Sequence, residues 1–189
     1  MARTLINGAL ALATLAYPIA IYLGLQHLPA GAFGLVLAVL FSARALLAKG
    51  TTAGGSAILL AGVVLVFAAA VWLTGSGALL LYYPVLVNAA LLLAFLYSLA
   101  YPPSAIERLA RLAEPDLPAS GVRYTRGVTW VWCAFFAANG STAAITAARG
   151  DLEVWTLYNG LIAYILMIAL FGLEYLVRRR FRRMHVDER

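Results

Sequence analysis

Four arginines sit at a spacing suited to binding phosphate. Arg108 and Arg111 lie one turn apart in segment 102–118, and Arg123 and Arg126 bracket Tyr124 a few residues later. Guanidinium groups present paired N–H donors to phosphate oxygens, so these residues are candidates for holding an anionic lipid headgroup or an acyl phosphate. The competing reading is anchoring. Arginines at a membrane face snorkel and set orientation, and Tyr124 and Trp130 suit the aromatic belt found there. Anchoring is preferred, because such residues are enriched at membrane interfaces whatever a protein does.

A second polar set lies inside apolar stretches: Asn88, Asn139 and Asn159, with Thr142 and Thr146 following Asn139. An unpaired amide in hydrocarbon costs several kcal/mol, on the order of 4 or more on alkane scales. These groups should point inward and bond another helix, as packing contacts in preference to a polar substrate site. Glu174 is an acid in an otherwise apolar run, and the i,i+4 spacing predicts an ion pair with Arg178. Asn139-Gly140-Ser141 matches a glycosylation sequon but falls within a span, out of reach of a transferase.

Little other chemistry is available. Cys133 is the only cysteine, which excludes an intrachain disulfide and a cysteine metal cage. His27 and His185 are expected near opposite membrane faces, so neither a metal nor a cofactor is expected. There is no Walker loop, nucleophile elbow, paired carboxylates or His-Glu-x-x-His motif, and an enzyme is not expected.

The elements that must position these residues follow from charge distribution. The chain has 189 residues, 63% hydrophobic and 12% charged, with a net charge of +6. A soluble domain carries about 25% charged residues. No Asp, Glu, Lys or Arg occurs in 4–43, 50–106, 127–148 or 154–173. A bilayer-crossing helix needs about 20 such residues. The pattern predicts an all-α, polytopic membrane protein with six spans, near 5–26, 32–48, 56–74, 78–101, 122–148 and 153–178. These form a single domain over 1–180, and 181–189 is a basic tail. Pro102-Pro103 ends the fourth span.

With six spans and a cytoplasmic N-terminus, every Lys and Arg of the 14 except Arg149 lies on the cytoplasmic side. Orientation by positive charge therefore predicts both termini cytoplasmic. The alternative, that the first span is a cleaved signal peptide, leaves an odd count with the wrong charge parity. Arginines 178–180, 182 and 183 crowd the end of the last span, which suits anionic lipid. No motif supports a nucleic-acid partner.

Between the fourth and fifth spans, Ser104 with Glu107 forms a capping box, and Pro115 supplies a stop. Ile106, Leu109, Ala110 and Ala113 recur at helical spacing, with Arg108 and Arg111 on another side. A short amphipathic helix lying on the cytoplasmic interface is expected here. Pro18 and Pro84 should kink the first and fourth spans. Both follow tyrosine, and this repeat 66 residues apart raises an inverted-repeat arrangement as a question.

Residues Pro103-Ser104-Ala105-Ile106-Glu107-Arg108-Leu109, then Leu117-Pro118, then Trp132 with Phe135-Phe136 and Asn139, followed by a last helix ending in basic residues, resemble the bacterial inner-membrane septation protein A family. The likeness covers about 80–180. The first three spans match only in hydropathy. More narrowly, the chain resembles uncharacterised membrane proteins encoded near aryl-polyene-type biosynthesis genes. The resemblance implies an inner-membrane location and a role in envelope synthesis, with no catalytic residues to transfer. The resulting expectation is a non-enzymatic protein supporting cell-envelope or lipid assembly, with anionic lipids, envelope-assembly membrane proteins and a second copy of itself as expected partners. The alternatives are a small carrier or flippase for a lipid-linked or aryl-polyene-type precursor, and an accessory subunit of a membrane acyltransferase.

Overall fold

A computed structural model of the chain describes residues 17–24, 27–48 and 54–184. Arg3, Lys49 and His185, most of the first expected span and the end of the basic tail lie outside the described residues. Among those described, all regular structure is helical. The order is α1 (Tyr17–Gly24), α2 (Ala30–Ala48), α3 (Gly54–Thr74), α4 (Gly77–Leu80), α5 (Tyr83–Ala100), α6 (Ala105–Ala113), α7 (Ala119–Arg149), α8 (Leu152–Leu157), a π-helical turn (Tyr158–Ile162) and α9 (Ala163–Met184).

Four helical stretches are long and apolar enough to cross a bilayer: Ala30–Leu47, Gly77–Ala100, Ala119–Arg149 and Leu152–Arg180. A shorter apolar stretch is Ala61–Thr74. These helices bare their aliphatic side chains, among them Leu73, Val66, Ile168 and Leu173. Apolar surface on this scale needs an apolar surrounding. The chain has the architecture of a helical membrane protein. Helical backbone pairs its own N–H and C=O groups, as hydrocarbon requires, so any interruption has to be satisfied from elsewhere.

Two expected spans carry interruptions that hydropathy does not show. The fourth is broken at Leu81–Tyr82, where Leu81 N–H and Tyr82 N–H bond back to Ala78 and Leu79. Pro84 explains the break, since it has no N–H to offer the Leu80 carbonyl one turn earlier. The sixth is distorted by the π-turn at Tyr158–Ile162. Glycines in the left-handed region close the chain at two turns. Gly75 (φ 61) follows α3 and Gly150 (φ 70) follows α7, each donating its N–H to a carbonyl of the preceding helix.

The chain divides into two compact units. The first comprises Met1–Pro84 with Ala143–Gly160. In it α2 packs along α3, where Gly34 lets the α3 backbone approach; a Cβ there would come within 3.1 Å of the Ala68 carbonyl oxygen. Tyr17, Phe41 and Tyr83 form an aromatic cluster, with the Tyr17 and Tyr83 rings 4.2 Å apart. The second unit comprises Val85–Thr142 with Leu161–Arg189. Its core is Ile106, Trp132 and Phe136, packed about by Leu92, Phe95, Val128, Met167 and Leu170. Edge-to-face geometry at Phe95–Phe136 and Trp132–Phe135 places ring hydrogens against ring faces.

Candidate functional site

Helix α6 is held by side chains from the helices on either side of it in sequence. The first N–H groups of a helix have no partner within it. Here Ser104 N–H donates to Glu107 Oε2 at 3.3 Å, Ala105 N–H to Ser98 Oγ at 2.9 Å, and Ile106 N–H to Thr129 Oγ1 at 3.4 Å. Ser98 belongs to α5 and the fully buried Thr129 to α7, so both act as caps supplied from elsewhere in the fold. Ile106 and Ala110 pack inward as their spacing predicts. Leu109 and Leu112 do not; they are 60% and 83% exposed. The apolar arc of α6 is thus wider than its docking face.

The four arginines separate into two kinds. Arg111 grips the buried Glu107 through Nε and Nη2, at 3.0 and 2.8 Å, and donates from Nη1 to the Pro115 carbonyl at 3.0 Å. Arg108 Nε donates to the Pro103 carbonyl at 2.9 Å. Both therefore fasten the two ends of α6. Arg123 and Arg126, in the first turns of α7, are exposed. Among the described residues the ion pairs are Arg111–Glu107 and Arg178–Glu174, so neither Arg123 nor Arg126 belongs to one.

Arg123 stands at one end of a cleft of about 430 Å³ between α7 and α9. Its walls are Gly127, Val128, Val131 and Trp132 from α7 and Leu170, Leu173 and Val177 from α9. Polar groups gather at the Arg123 end: Tyr124 Oη donates to the Glu174 carbonyl at 3.4 Å, and the Glu174 carboxylate is paired with Arg178 at 2.7 Å, as the i,i+4 spacing anticipates. The cleft is a chemically polarised slot, cationic and hydrogen-bonding at one end and hydrocarbon along the rest.

The intramembrane amides find partners within their own units. Asn139 Nδ2 donates to Asn88 Oδ1 at 3.0 Å, joining α7 to α5. Asn159 Nδ2 bonds Thr146 Oγ1 at 3.2 Å and the Trp155 carbonyl at 2.9 Å. That carbonyl lies just before the π-turn and also accepts from the Tyr158 N–H. Thr142 instead returns its hydroxyl to the Ala138 carbonyl of its own helix.

Sequence reasoning missed the closure of the break before α5. Tyr17 Oη donates to the Leu80 carbonyl at 3.5 Å, standing in for the N–H that Pro84 lacks. Trp155 Nε1, fully buried, donates to the Leu81 carbonyl at 2.9 Å. The two Tyr-Pro dipeptides meet through the Tyr17 and Tyr83 rings beside this break. A usable signal existed: an indole N–H in an apolar run must find an acceptor.

Comparison with known proteins identifies no matching family model, no matching curated protein and no matching solved structure.

Proposed function

We propose that the chain is a six-span protein of the bacterial inner membrane, with both termini cytoplasmic, that supports cell-envelope or lipid assembly by contacting membrane partners and catalyses no reaction itself. The observation that carries this is α6. It is fastened to α5 and α7 at its start, yet leaves Leu109 and Leu112 bare beside Arg108. A helix with that division of surface is suited to the bilayer interface, its leucines in the acyl boundary and its arginines among headgroups. The two spans beyond the four long ones are the apolar stretches 5–26, of which α1 is the described part, and 56–74, which α3 covers. The resemblance to the septation protein A family lies over this same region, which is why envelope assembly is the process proposed. Anionic lipids and other envelope-assembly proteins are the partners, and a second copy of the chain is a further one.

Two measurements test it. Reporter fusions after residue 150 and at the C-terminus should report opposite sides, with the C-terminus cytoplasmic; a periplasmic C-terminus refutes the topology. Capture from native membranes in mild detergent should bring down envelope-synthesis proteins, and recovery of the chain alone refutes the supporting role.

A second reading has one specific observation behind it. The break at Leu81–Tyr82 makes the α4–α5 span discontinuous, as in carriers whose sites form at interrupted helices. Lipid-linked precursor crossing vesicles that contain only this protein would favour the carrier over the supporting role.

A further inference from the structure

We propose that the cleft between α7 and α9 binds one anionic phospholipid, with its phosphate on Arg123 and one acyl chain lying against Val128, Val131, Trp132, Leu170 and Leu173. The inference rests on the reading that these helices lie in a bilayer, and it names a ligand for this part of the basic interface.

Three features fit that occupant. The first is length. Trp132 lies nine helical steps beyond Arg123 on α7, about 14 Å at the helical rise, close to the ~15 Å depth of one leaflet. The second is the lining, aliphatic and aromatic from Gly127 to Leu170 with polar groups at one end. In hydrocarbon such a slot is filled by an acyl chain, since water has no partners along its walls. The third is charge. Glu174 is the acid at the cleft, and its pairing with Arg178 at 2.7 Å cancels its repulsion of a phosphate. Arg123 belongs to no ion pair among the described residues, and its fork suits a phosphate oxygen pair. A zwitterionic headgroup brings its own cation to the same place, so the preference is for net negative lipid.

Gly127 lines the cleft, and a Cβ built there meets nothing within 4 Å, so a side chain added at this position starts in open space. Gly127→Leu also raises helix propensity, and the topology reporter on this variant checks that it inserts and folds. This gives a steric test that is independent of charge.

The experiment uses the full chain in mild detergent, with phosphatidylglycerol or phosphatidylcholine of identical acyl chains added, and counts bound lipid by native mass spectrometry. The wild type should retain one phosphatidylglycerol in preference to phosphatidylcholine. Arg123→Gln should reduce that preference about fivefold, the factor expected for one basic side chain at a lipid surface. Gly127→Leu should lose both lipids, while Arg126→Gln, outside the cleft, should match the wild type. Equal losses in Arg123→Gln and Arg126→Gln would mean diffuse surface charge and overturn the site, as would phosphatidylglycerol retained by Gly127→Leu. Topology reporters on the same variants keep the two readings apart. Correct insertion with lost lipid preference supports the site. Correct insertion with wild-type lipid binding in every variant overturns the site while the envelope role stands.

Discussion

Truncating Asn139 to alanine removes a hydrogen-bond donor whose acceptor, Asn88 Oδ1, lies 3.0 Å away on α5. Both residues are buried, at 6% and 8% exposure, so water replaces neither group. Interhelical hydrogen bonds in membrane proteins average ~0.6 kcal/mol and reach ~1.7, because the unfolded chain in the bilayer also finds partners. The short distance and burial place this pair in the upper part of that range, at about 1 kcal/mol. Asn139→Ala alone also loses packing, so the quantity to measure is the coupling. Wild type, Asn88→Ala, Asn139→Ala and the double variant would be unfolded reversibly in mixed micelles and the four free energies combined. A coupling near zero would refute the interhelical bond as a source of stability. Asn139→Leu with wild-type stability but lost lipid or partner binding would transfer this residue from packing to a substrate site.

Trp155→Phe strands the buried Leu81 carbonyl, at a cost of ~1–3 kcal/mol that should appear as a lowered melting temperature in detergent. Gly140→Ala should also destabilise, since its Cβ would stand 3.0 Å from the Asn88 Cβ, whereas Gly172→Ala meets nothing and should stabilise α9 by up to ~1 kcal/mol in the same assay. In the pair Arg123→Lys with Arg126→Lys, charge and insertion are kept while the planar fork is lost. Reduced phosphatidylglycerol preference with normal topology is the expected result, and unaltered binding would leave anchoring as the role of these arginines.

Where the signal was periodic or local, the sequence was informative. Long charge-free runs predict helices, and the capping box and Pro115 place α6 between residues 105 and 113, where it is found. Glu174 and Arg178 pair because four residues on one helix are neighbours by geometry alone. Asn139 on an apolar helix announces its need for a partner without naming Asn88, 51 residues distant. The π-turn at Tyr158–Ile162 has no periodic signature, and the asparagine inside it was legible only as a polar residue at depth.

By itself the amino-acid sequence determined the class of solvent, the helical content and which residues are too polar to face lipid. Each follows from a local free energy of transfer or from a spacing within one helix. Tertiary structure alone decided what those residues do. Arg108 and Arg111 turn back to fasten α6, while Arg123 opens onto a cleft, although all four present the same chemistry in the sequence. Pro84 leaves the Leu80 carbonyl short of a donor, but only the fold brings Tyr17 across 63 residues to supply one. A glycine at 127 is read in the sequence as a small residue; only the fold sets it in the wall of a cleft shared with Trp132 and Leu170. Such contacts depend on which helix faces meet, and hydrocarbon-facing and partner-facing residues are equally apolar, so composition cannot tell them apart.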